Sequence, residues 1–218
     1  LAFPDRQIEA DANNNADSFL IASLPSNQDV GQPTFYVGSE NNDLLTSGNI
    51  DSVLAGASGA DTLNGGTGSD ELSGGSGDDV LNGGPSSDIL NGGAGTDELS
   101  GGGGDDVLNG DLNSDILNGG AGSDRFIYTT LGDAGDTLTD FTPGIDLIDL
   151  SGLLNSLGYA GDAPINDGIV GFSTQGDTTQ ILVSSTDSTG ATQQTVLATV
   201  QSVVGEGIDI TDASNFVI

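Results

Sequence analysis

Residues 65–91 read GGTGSDELSGGSGDDVLNGGPSSDILN, three units of nine residues in which glycines, an aspartate and a leucine return at fixed positions. The same period runs from Gly38 to Ile127 and makes ten consecutive units. Position 6 is Asp in nine of the ten units, and position 8 is Leu in nine, with Phe126 in the last. A short and strict repeat of this kind predicts a stack of nearly identical rungs.

The residue types within one unit predict its local shape. Glycine at positions 1, 2 and 4 permits positive φ, so six residues can turn tightly with carbonyl oxygens pointing inward. Position 6 is expected to begin a short strand in which positions 6 and 8 face inward and position 7 faces out. Two units make one turn of eighteen residues, so we expect a two-sided roll with a row of Asp side chains along each edge.

The spacing of these rows suits calcium. Equivalent loops would stack at about 4.8 Å, and an ion with oxygen ligands at about 2.3–2.6 Å fits between two of them. Carboxylate and carbonyl oxygens are ligands that calcium prefers and zinc or copper do not. The sequence therefore predicts up to seven sites. The pairs are Asp43/Asp61, Asp61/Asp79, Asp79/Asp97 and Asp97/Asp115 on one edge, and Asp70/Asp88, Asp88/Asp106 and Asp106/Asp124 on the other.

The units resemble the GGxGxD nonapeptide of the RTX (repeats-in-toxin, hemolysin-type) family, most fully in GGTGSDELS, GGSGDDVLN, GGAGTDELS and GGGGDDVLN. The resemblance implies an all-β, right-handed parallel β-roll in which the carbonyls of positions 1 to 4 and the position-6 Asp bind calcium. The predicted metal ligands are Asp43, Gly56, Ser58, Asp61, Gly65, Gly66, Thr67, Gly68, Asp70, Gly74, Gly75, Ser76, Gly77, Asp79, Gly83, Gly84, Pro85, Asp88, Gly92, Gly93, Ala94, Gly95, Asp97, Gly101, Gly102, Gly103, Gly104, Asp106, Gly110, Leu112, Asp115, Gly119, Gly120, Ala121, Gly122 and Asp124.

Several units depart from the pattern, and GGPSSDILN and GDLNSDILN lack glycine at position 4. SGNIDSVLA has Ile50 at position 4 and Ser52 at position 6, which weakens the case for a site between this unit and the loop of Asp70. GSENNDLLT has no glycine after position 1, so the loop of Asp43 is interpreted either as the first site or as a capping turn.

The chain divides into three parts. Residues 1–37 read as a linker with N-terminal capping strands in the apolar runs 19–24 and 34–37, residues 38–127 as the roll, and residues 128–218 as an antiparallel β cap. In the cap we predict a short helix at 151–157 and hairpin turns at 174–177 and 187–190. The predicted strands after the repeats are 125–129, 137–141, 146–150, 169–173, 179–184 and 195–200.

The cap also resembles a secretion signal. DTLTDFTPGIDLIDLSGLL (136–154) and the stretches TVLATVQSV and DITDASNFVI within 195–218 look like the type I secretion target regions that end large RTX adhesins. Five aspartates in the cap are interpreted either as further calcium ligands or as ordinary turn carboxylates. They are Asp133, Asp136, Asp140, Asp146 and Asp149.

Composition excludes several classes of function. With 33 acidic and two basic residues the formal charge is -31, so nucleic acid and acidic membranes would repel the chain. No apolar run approaches the roughly eighteen residues needed for membrane insertion. Lack of His excludes an HExxH zinc site and a Ser-His-Asp triad, and no G-x-S-x-G occurs, so we expect no enzyme activity. The first thirty residues lack the pattern of a signal peptide, and we expect the sequence to be part of a longer protein.

These features favour a calcium-dependent folding and type I secretion domain at the C-terminus of a bacterial cell-surface or biofilm adhesin. The resemblance implies a secreted, monomeric chain that crosses an ABC transporter and an outer-membrane channel unfolded and folds outside. The alternatives are the C-terminal RTX domain of an exported protease or lipase, and a ligand-binding module of the adhesin. Because no His is present, acid sensitivity is expected only near the Asp pKa of about 3.9.

Overall fold

A computed structural model describes residues 33–161, 163–186, 189–201 and 213–218. Within them the chain is almost entirely β, with one α-helix, α1 (Ser151–Ser156), and short 3-10 helices at Leu131–Asp133 and Ala213–Asn215. The strands in chain order are β1 (Thr34–Val37), β2 (Leu44–Thr46), β3 (Ser52–Ser58), β4 (Thr62–Asn64), β5 (Glu71–Ser76), β6 (Val80–Gly84), β7 (Ile89–Ala94), β8 (Glu98–Gly103), β9 (Val107–Leu112), β10 (Ile116–Ala121), β11 (Arg125–Ile127), β12 (Asp136–Leu138), β13 (Leu147–Asp149), β14 (Val170–Gln175), β15 (Thr178–Thr186), β16 (Thr192–Gln201) and β17 (Phe216–Val217).

Consecutive strands of the repeat region alternate between two parallel sheets. The first sheet has the order β1-β3-β5-β7-β9-β11-β13-β17, and the second has the order β14-β15-β16-β12-β10-β8-β6-β4-β2. Strands of the repeats pair with a register shift of eighteen residues, as in Leu54 with Leu72 and Leu63 with Leu81. The predicted parallel β-roll with two units per turn is therefore confirmed.

The core of the roll consists of two columns of apolar side chains, one from each sheet, and further buried residues of the cap pack against it. Within the repeats, position 8 supplies each column, and these residues are buried because they alternate with the outward-facing position 7, where Glu71 and Glu98 are exposed. The first column contains Tyr36, Leu54, Leu72, Leu90, Leu108, Phe126, Ile148 and Phe216. The second column contains Leu45, Leu63, Leu81, Leu99, Leu117, Leu138 and Val200.

The expected strand limits were wrong. Most strands begin at position 7 and continue into the glycines of the following unit, as β8 does over Glu98–Gly103. The reason is that these glycines also pair one turn later, for example Gly75 with Gly93. Positive φ occurs at positions 2 and 4, as in Gly75 (113°) and Gly77 (118°). Because β5 ends at position 3 and β6 begins at position 7 of the same unit, the tight turn is confined to positions 4 to 6. The position-1 glycines do not have positive φ.

After the repeats, both sheets continue into the cap. β12 adds to the second sheet and β13 to the first, and β14, β15 and β16 then extend the second sheet with antiparallel pairing. The predicted antiparallel cap is present only in part. β14, β15 and β16 pair antiparallel, while β12 pairs parallel with β10 and β16, and β13 pairs parallel with β11 and β17. Helix α1 and the hairpin turn at Gly176 follow the predictions. Asp187 and Ser188 of the second predicted turn and the apolar run 19–24 lie outside the described residues. Among the described residues no helix is both long enough and apolar enough to cross a membrane.

Candidate metal centre

The position-6 aspartates form two buried rows, one along each edge of the roll. In each row the main-chain N–H of one Asp donates a hydrogen bond of 2.7–2.9 Å to Oδ1 of the Asp one turn later. One row contains Asp43, Asp61, Asp79, Asp97 and Asp115, and the other contains Asp70, Asp88, Asp106 and Asp124. All nine side chains are buried, although water would normally solvate a carboxylate.

The second carboxylate oxygen has no partner in most of these residues. Among the described residues, eight position-6 aspartates have a buried Oδ2 without a hydrogen bond. They are Asp61, Asp70, Asp79, Asp88, Asp97, Asp106, Asp115 and Asp124. An unpaired buried carboxylate oxygen is strongly unfavourable, so each of these atoms requires a positively charged partner.

The position-1 glycine leaves space beside each of these oxygens. A Cβ on Gly74 would overlap Oδ2 of Asp79 and would lie 2.7 Å from the carbonyl oxygen of Gly92 in the next turn. The same arrangement recurs at Gly56, Gly65, Gly83, Gly92 and Gly101, where the carbonyl oxygen of the next turn lies 2.6–2.8 Å from the Cβ position. Each glycine therefore keeps a carboxylate oxygen and a carbonyl oxygen of successive turns close to one point.

Burial changes the acid-base behaviour of the rows. Desolvation, with repulsion from neighbouring carboxylates, raises the pKa of Asp61, Asp70, Asp79, Asp97 and Asp115 to about 6, and that of Asp106 to about 7. Burial also raises the pKa of Asp88 and Asp124. In the folded roll without calcium, protonation is therefore expected at a higher pH than the value of about 3.9 that the sequence suggests, because burial raises the pKa of these groups.

The space between two successive Asp residues of a row, here called an interval, has a set of oxygen donors that fits calcium. Between two turns it offers Oδ2 of the first Asp, Oδ1 of the second Asp and the position-1 carbonyl of the second loop, which are all hard oxygens. Among the described residues no three acidic side chains converge as a metal-binding group. The backbone oxygens of the loops are the further hard ligands that the structure offers near Oδ2. When bound there, calcium would neutralise the carboxylates and bridge successive turns.

The other carbonyl oxygens that were predicted as ligands lie in the same loops. The position-3 carbonyl oxygens of Ser76, Ala94 and Ala121 each accept a hydrogen bond of 2.7–2.8 Å from the position-4 N–H one turn earlier. A carbonyl oxygen has two lone pairs, so this bond leaves one available. The position-1 carbonyl is the predicted ligand that lies next to the unpaired Oδ2.

Asp43 differs from the other members of its row. Its Oδ2 accepts hydrogen bonds from the backbone N–H (2.6 Å) and the hydroxyl (2.9 Å) of Ser39. Ser39 occupies position 2, where most units have glycine, and its side chain supplies the second of these donors. The interval between Asp43 and Asp61 therefore lacks the unpaired Oδ2 found elsewhere, which favours the capping-turn interpretation of this loop. Within the described residues, six of the seven predicted pairs have the full arrangement.

The unit with Ser52 at position 6 also lacks the arrangement. The hydroxyls of Ser47 and Ser52 are hydrogen-bonded to each other, and Ser52 also donates to the carbonyl oxygen of Ile50. Both are neutral groups, so position 6 of this unit supplies no carboxylate oxygen, and Ser52 instead interacts with the carboxylate of Asp70 one turn later. The row that begins with Asp70 therefore does not extend toward the N-terminus, as the sequence suggested.

Two aspartates of the cap continue the rows. The N–H of Asp115 donates to Oδ1 of Asp136 (2.9 Å), and the N–H of Asp124 donates to Oδ1 of Asp146 (3.0 Å). The sequence marks these residues as possible ligands but does not place them in the rows, because they lie 21 and 22 residues after their partners rather than eighteen. The signal that identifies them is an Asp two residues before a buried apolar side chain, Leu138 or Ile148.

Two other cap aspartates have protein partners that account for them. Asp133 accepts hydrogen bonds from the N–H (2.7 Å) and hydroxyl (2.9 Å) of Thr129 and from Thr130, and it caps the first 3-10 helix. Asp140 accepts from the N–H groups of Gly119 and Gly120 at 3.0 and 2.6 Å. These contacts favour the interpretation of both residues as turn and edge carboxylates.

Asp149 forms an ion pair with Arg125 and accepts hydrogen bonds from the N–H (2.9 Å) and hydroxyl (2.6 Å) of Ser151. Burial alone would raise its pKa, but the hydrogen bonds from Ser151 and the guanidinium of Arg125 hold the pKa below its usual value. Asp149 is thus a stable anion that attaches the cap strand β13 to β11, the last strand of the repeats.

The RTX calcium-binding nonapeptide repeat model matches the chain in four copies, at residues 37–72, 55–90, 64–99 and 91–126. The chain belongs to the RTX calcium-binding nonapeptide-repeat family. Its matched residues include every member of the two rows except Asp136 and Asp146. The RTX repeats explain why the buried carboxylates are arranged in rows, since calcium binding is the property of this repeat.

Several solved structures are similar to this RTX chain. The AlgE6R3 subunit of the mannuronan C5-epimerase of Azotobacter vinelandii has 30% identity, with 66% of this chain and 80% of that chain covered and a TM-score of 0.49. The AlgE6R2 subunit has 22% identity, coverage of 86% and 93%, and a TM-score of 0.39. Extracellular lipase LipA from Serratia marcescens has 16% identity, coverage of 95% and 42%, and a TM-score of 0.22. No curated protein matches the chain significantly.

Proposed function

We propose that this chain is the calcium-dependent folding and type I secretion domain at the C-terminus of a bacterial cell-surface adhesin, without catalytic activity of its own. The observation that carries the proposal is the set of eight buried, unpartnered carboxylate oxygens. Folding places these charges one turn apart and out of water. When these carboxylates are ionised, the roll is therefore stable only with cations to neutralise them, and metal binding becomes part of the folding reaction.

Because metal binding is coupled to folding, the difference in calcium level across the cell envelope would determine where the chain folds. Extracellular calcium modules typically bind with dissociation constants of about 10⁻⁴–10⁻³ M, far above the calcium level of the cytosol. Inside the cell the chain would stay unfolded, which suits passage through an ABC transporter and an outer-membrane channel. Outside, calcium would fold it as a monomer on the secreted or surface-bound protein.

Circular dichroism tests the folding part of this proposal. In chelator we expect a chain with little β structure, and calcium should induce a cooperative transition to β. Magnesium should not reproduce the transition, because it requires near-ideal octahedral geometry and gives up water reluctantly. A chain that is fully β-rich in chelator would contradict calcium-dependent folding.

Export tests the secretion part. A reporter joined to the N-terminus of the chain should leave cells that express a type I exporter, and it should remain inside cells without one. Removing residues 128–218 should abolish export, because the secretion signal is proposed to lie there. Export of the truncated chain would contradict this assignment. The upstream sequence separates an adhesin from an exported protease or lipase, since adhesins should show tandem β-sandwich repeats and the enzymes a catalytic domain.

A further inference from the structure

The two Asp rows continue beyond the last repeat and end in the cap. Asp136 and Asp146 accept the same N–H hydrogen bond that each repeat Asp accepts from the turn before it. Both are buried, with 1% and 4% of their surface exposed. Each row therefore contains one interval that is formed by a repeat loop on one side and a cap loop on the other.

These last two intervals contain unpaired carboxylate oxygens. Oδ1 of Asp115 and Oδ1 of Asp124 face the preceding turn, where they accept hydrogen bonds from the N–H groups of Asp97 (2.8 Å) and Asp106 (2.9 Å). Oδ2 of Asp115 and Oδ2 of Asp124 are buried and have no hydrogen-bond partner. Elsewhere in the rows, Oδ2 lies in the interval between its own loop and the following turn. For Asp115 and Asp124 the following turn belongs to the cap.

The glycine pattern of the repeats ends before the last members of the rows. Tyr128 directly follows the last repeat, where a further unit would begin, and Phe141 lies five residues before Asp146, at the spacing of a position-1 glycine from its Asp. Both aromatic residues are buried. Oδ2 of Asp146 accepts from the N–H of Thr142 (2.7 Å). The buried Tyr128 hydroxyl faces the carboxylate of Asp136, although no hydrogen bond of normal geometry joins them.

The charge around the junction is more negative than that of two carboxylates. Asp111 and Asp133 are close enough to Asp115 for their charges to repel it, and Asp133 also repels Asp136. On the other edge, Asp140 repels both Asp124 and Asp146. The extra negative potential attracts a cation to these two intervals. They differ from the repeat intervals, because no glycine carbonyl oxygen of the next loop lies as close to the Cβ position of Gly110 or Gly119 as the Asp side chain does.

We propose that each row carries one calcium site at the junction of roll and cap, held by Asp115 with Asp136 on one edge and by Asp124 with Asp146 on the other. This inference rests on the calcium-dependent folding proposed above. It raises the expected number of ions from six to eight, one for each unpaired Oδ2. It also makes attachment of the cap to the roll dependent on calcium, because each junction ion is shared between the two.

The test is the number of calcium ions bound by the full chain at saturation, measured by native mass spectrometry and by equilibrium dialysis. The variants are Asp136→Asn and Asp146→Asn. An Asn side chain keeps an acceptor oxygen for the N–H of the preceding turn but removes the charge, so it separates ion binding from the hydrogen bond alone. Asp177→Asn, in the exposed hairpin turn, makes the same chemical change away from the rows.

We expect eight ions for the unmodified chain and for Asp177→Asn, and seven for each junction variant. Six ions in the unmodified chain, with no loss in either variant, would overturn the inference and leave the proposed function intact. A chain that binds no calcium would overturn both. If a junction variant does not fold by circular dichroism in saturating calcium, the count for the unmodified chain still decides between six and eight.

Discussion

The main-chain N–H of Asp61 donates a 2.7 Å hydrogen bond to Oδ1 of Asp79, eighteen residues later. This bond fixes the orientation of the Asp79 carboxylate. Its Oδ1 is held by the preceding turn, so its Oδ2 lies beside its own loop and the next turn. The same relation recurs along both rows. The hydrogen bonds between successive turns thus orient the carboxylate oxygens without the help of an ion.

Removing the charge of Asp79 should weaken calcium binding much more than removing the charge of its neighbour Asp78. Asp79 is 1% exposed and faces two intervals, whereas Asp78 lies on the surface and accepts a hydrogen bond from the N–H of Thr96. Changing groups that only orient a metal ligand already costs about 10–100-fold in affinity, so we expect at least about a tenfold rise in the calcium midpoint for Asp79→Asn. Asp78→Asn should shift it only slightly. Equal midpoints for the two variants, measured by circular dichroism, would contradict this assignment.

A single methyl group at Gly74 should block one interval. The Cβ of Gly74→Ala would overlap Oδ2 of Asp79 and lie 2.7 Å from the carbonyl oxygen of Gly92, so these oxygens could not approach a common ion. Gly171→Ala is the matched control, because a Cβ at Gly171 meets nothing within 4 Å. We expect native mass spectrometry to show one ion fewer for Gly74→Ala and an unchanged number for Gly171→Ala. An unchanged number for both would show that the glycine space is not needed.

Truncation at position 8 should destabilise the calcium-loaded roll, and truncation at position 7 should not. Leu90 is 1% exposed in the core column, while Ile89, its neighbour, is 52% exposed. Urea unfolding in saturating calcium should show a loss of about 2–5 kcal/mol for Leu90→Ala. For Ile89→Ala we expect a change within about 0.5 kcal/mol. Similar losses for both would mean that the outer face is buried in solution.

Protons should compete with calcium in the rows. Burial raises the pKa of Asp79 to about 6 and that of Asp106 to about 7 in the folded chain, above the value of an unfolded Asp. Protonation therefore favours the folded roll when calcium is removed, and this stabilisation is lost as the pH rises through about 6 to 7. In chelator, β structure should increase as the pH falls from 7.5 toward 5.

Lower pH should weaken calcium binding, because a carboxylate must be ionised to bind the ion. The calcium midpoint should rise as the pH is lowered from 7.5 to 5.5. Titrations followed by circular dichroism at the two pH values measure this change. A midpoint that does not depend on pH in this range would show that the carboxylates of the calcium-free chain are ionised at both pH values, whether that chain is folded or unfolded.

The cap shows where sequence reasoning was incomplete. The repeat period identified both rows as far as Asp115 and Asp124, but Asp136 and Asp146 are found only through the pairing of Leu117 with Leu138 and of Phe126 with Ile148. The intervening loops are three and four residues longer than a repeat loop, so no fixed spacing indicates the register. The closure of Asp43 by Ser39 was also not predicted, because position 2 gave no sign of a ligand to Asp.

The sequence by itself determined the period, the two-sided roll, the leucine columns and the two rows of position-6 aspartates. It could do so because each rung contacts a copy of itself eighteen residues away, so local pattern and long-range contact carry the same information. The tertiary structure alone decided which carboxylate oxygens are unpaired, what the position-1 glycines make room for and where the rows end. These depend on side-chain direction and on burial between non-repeating segments, which no spacing along the chain records.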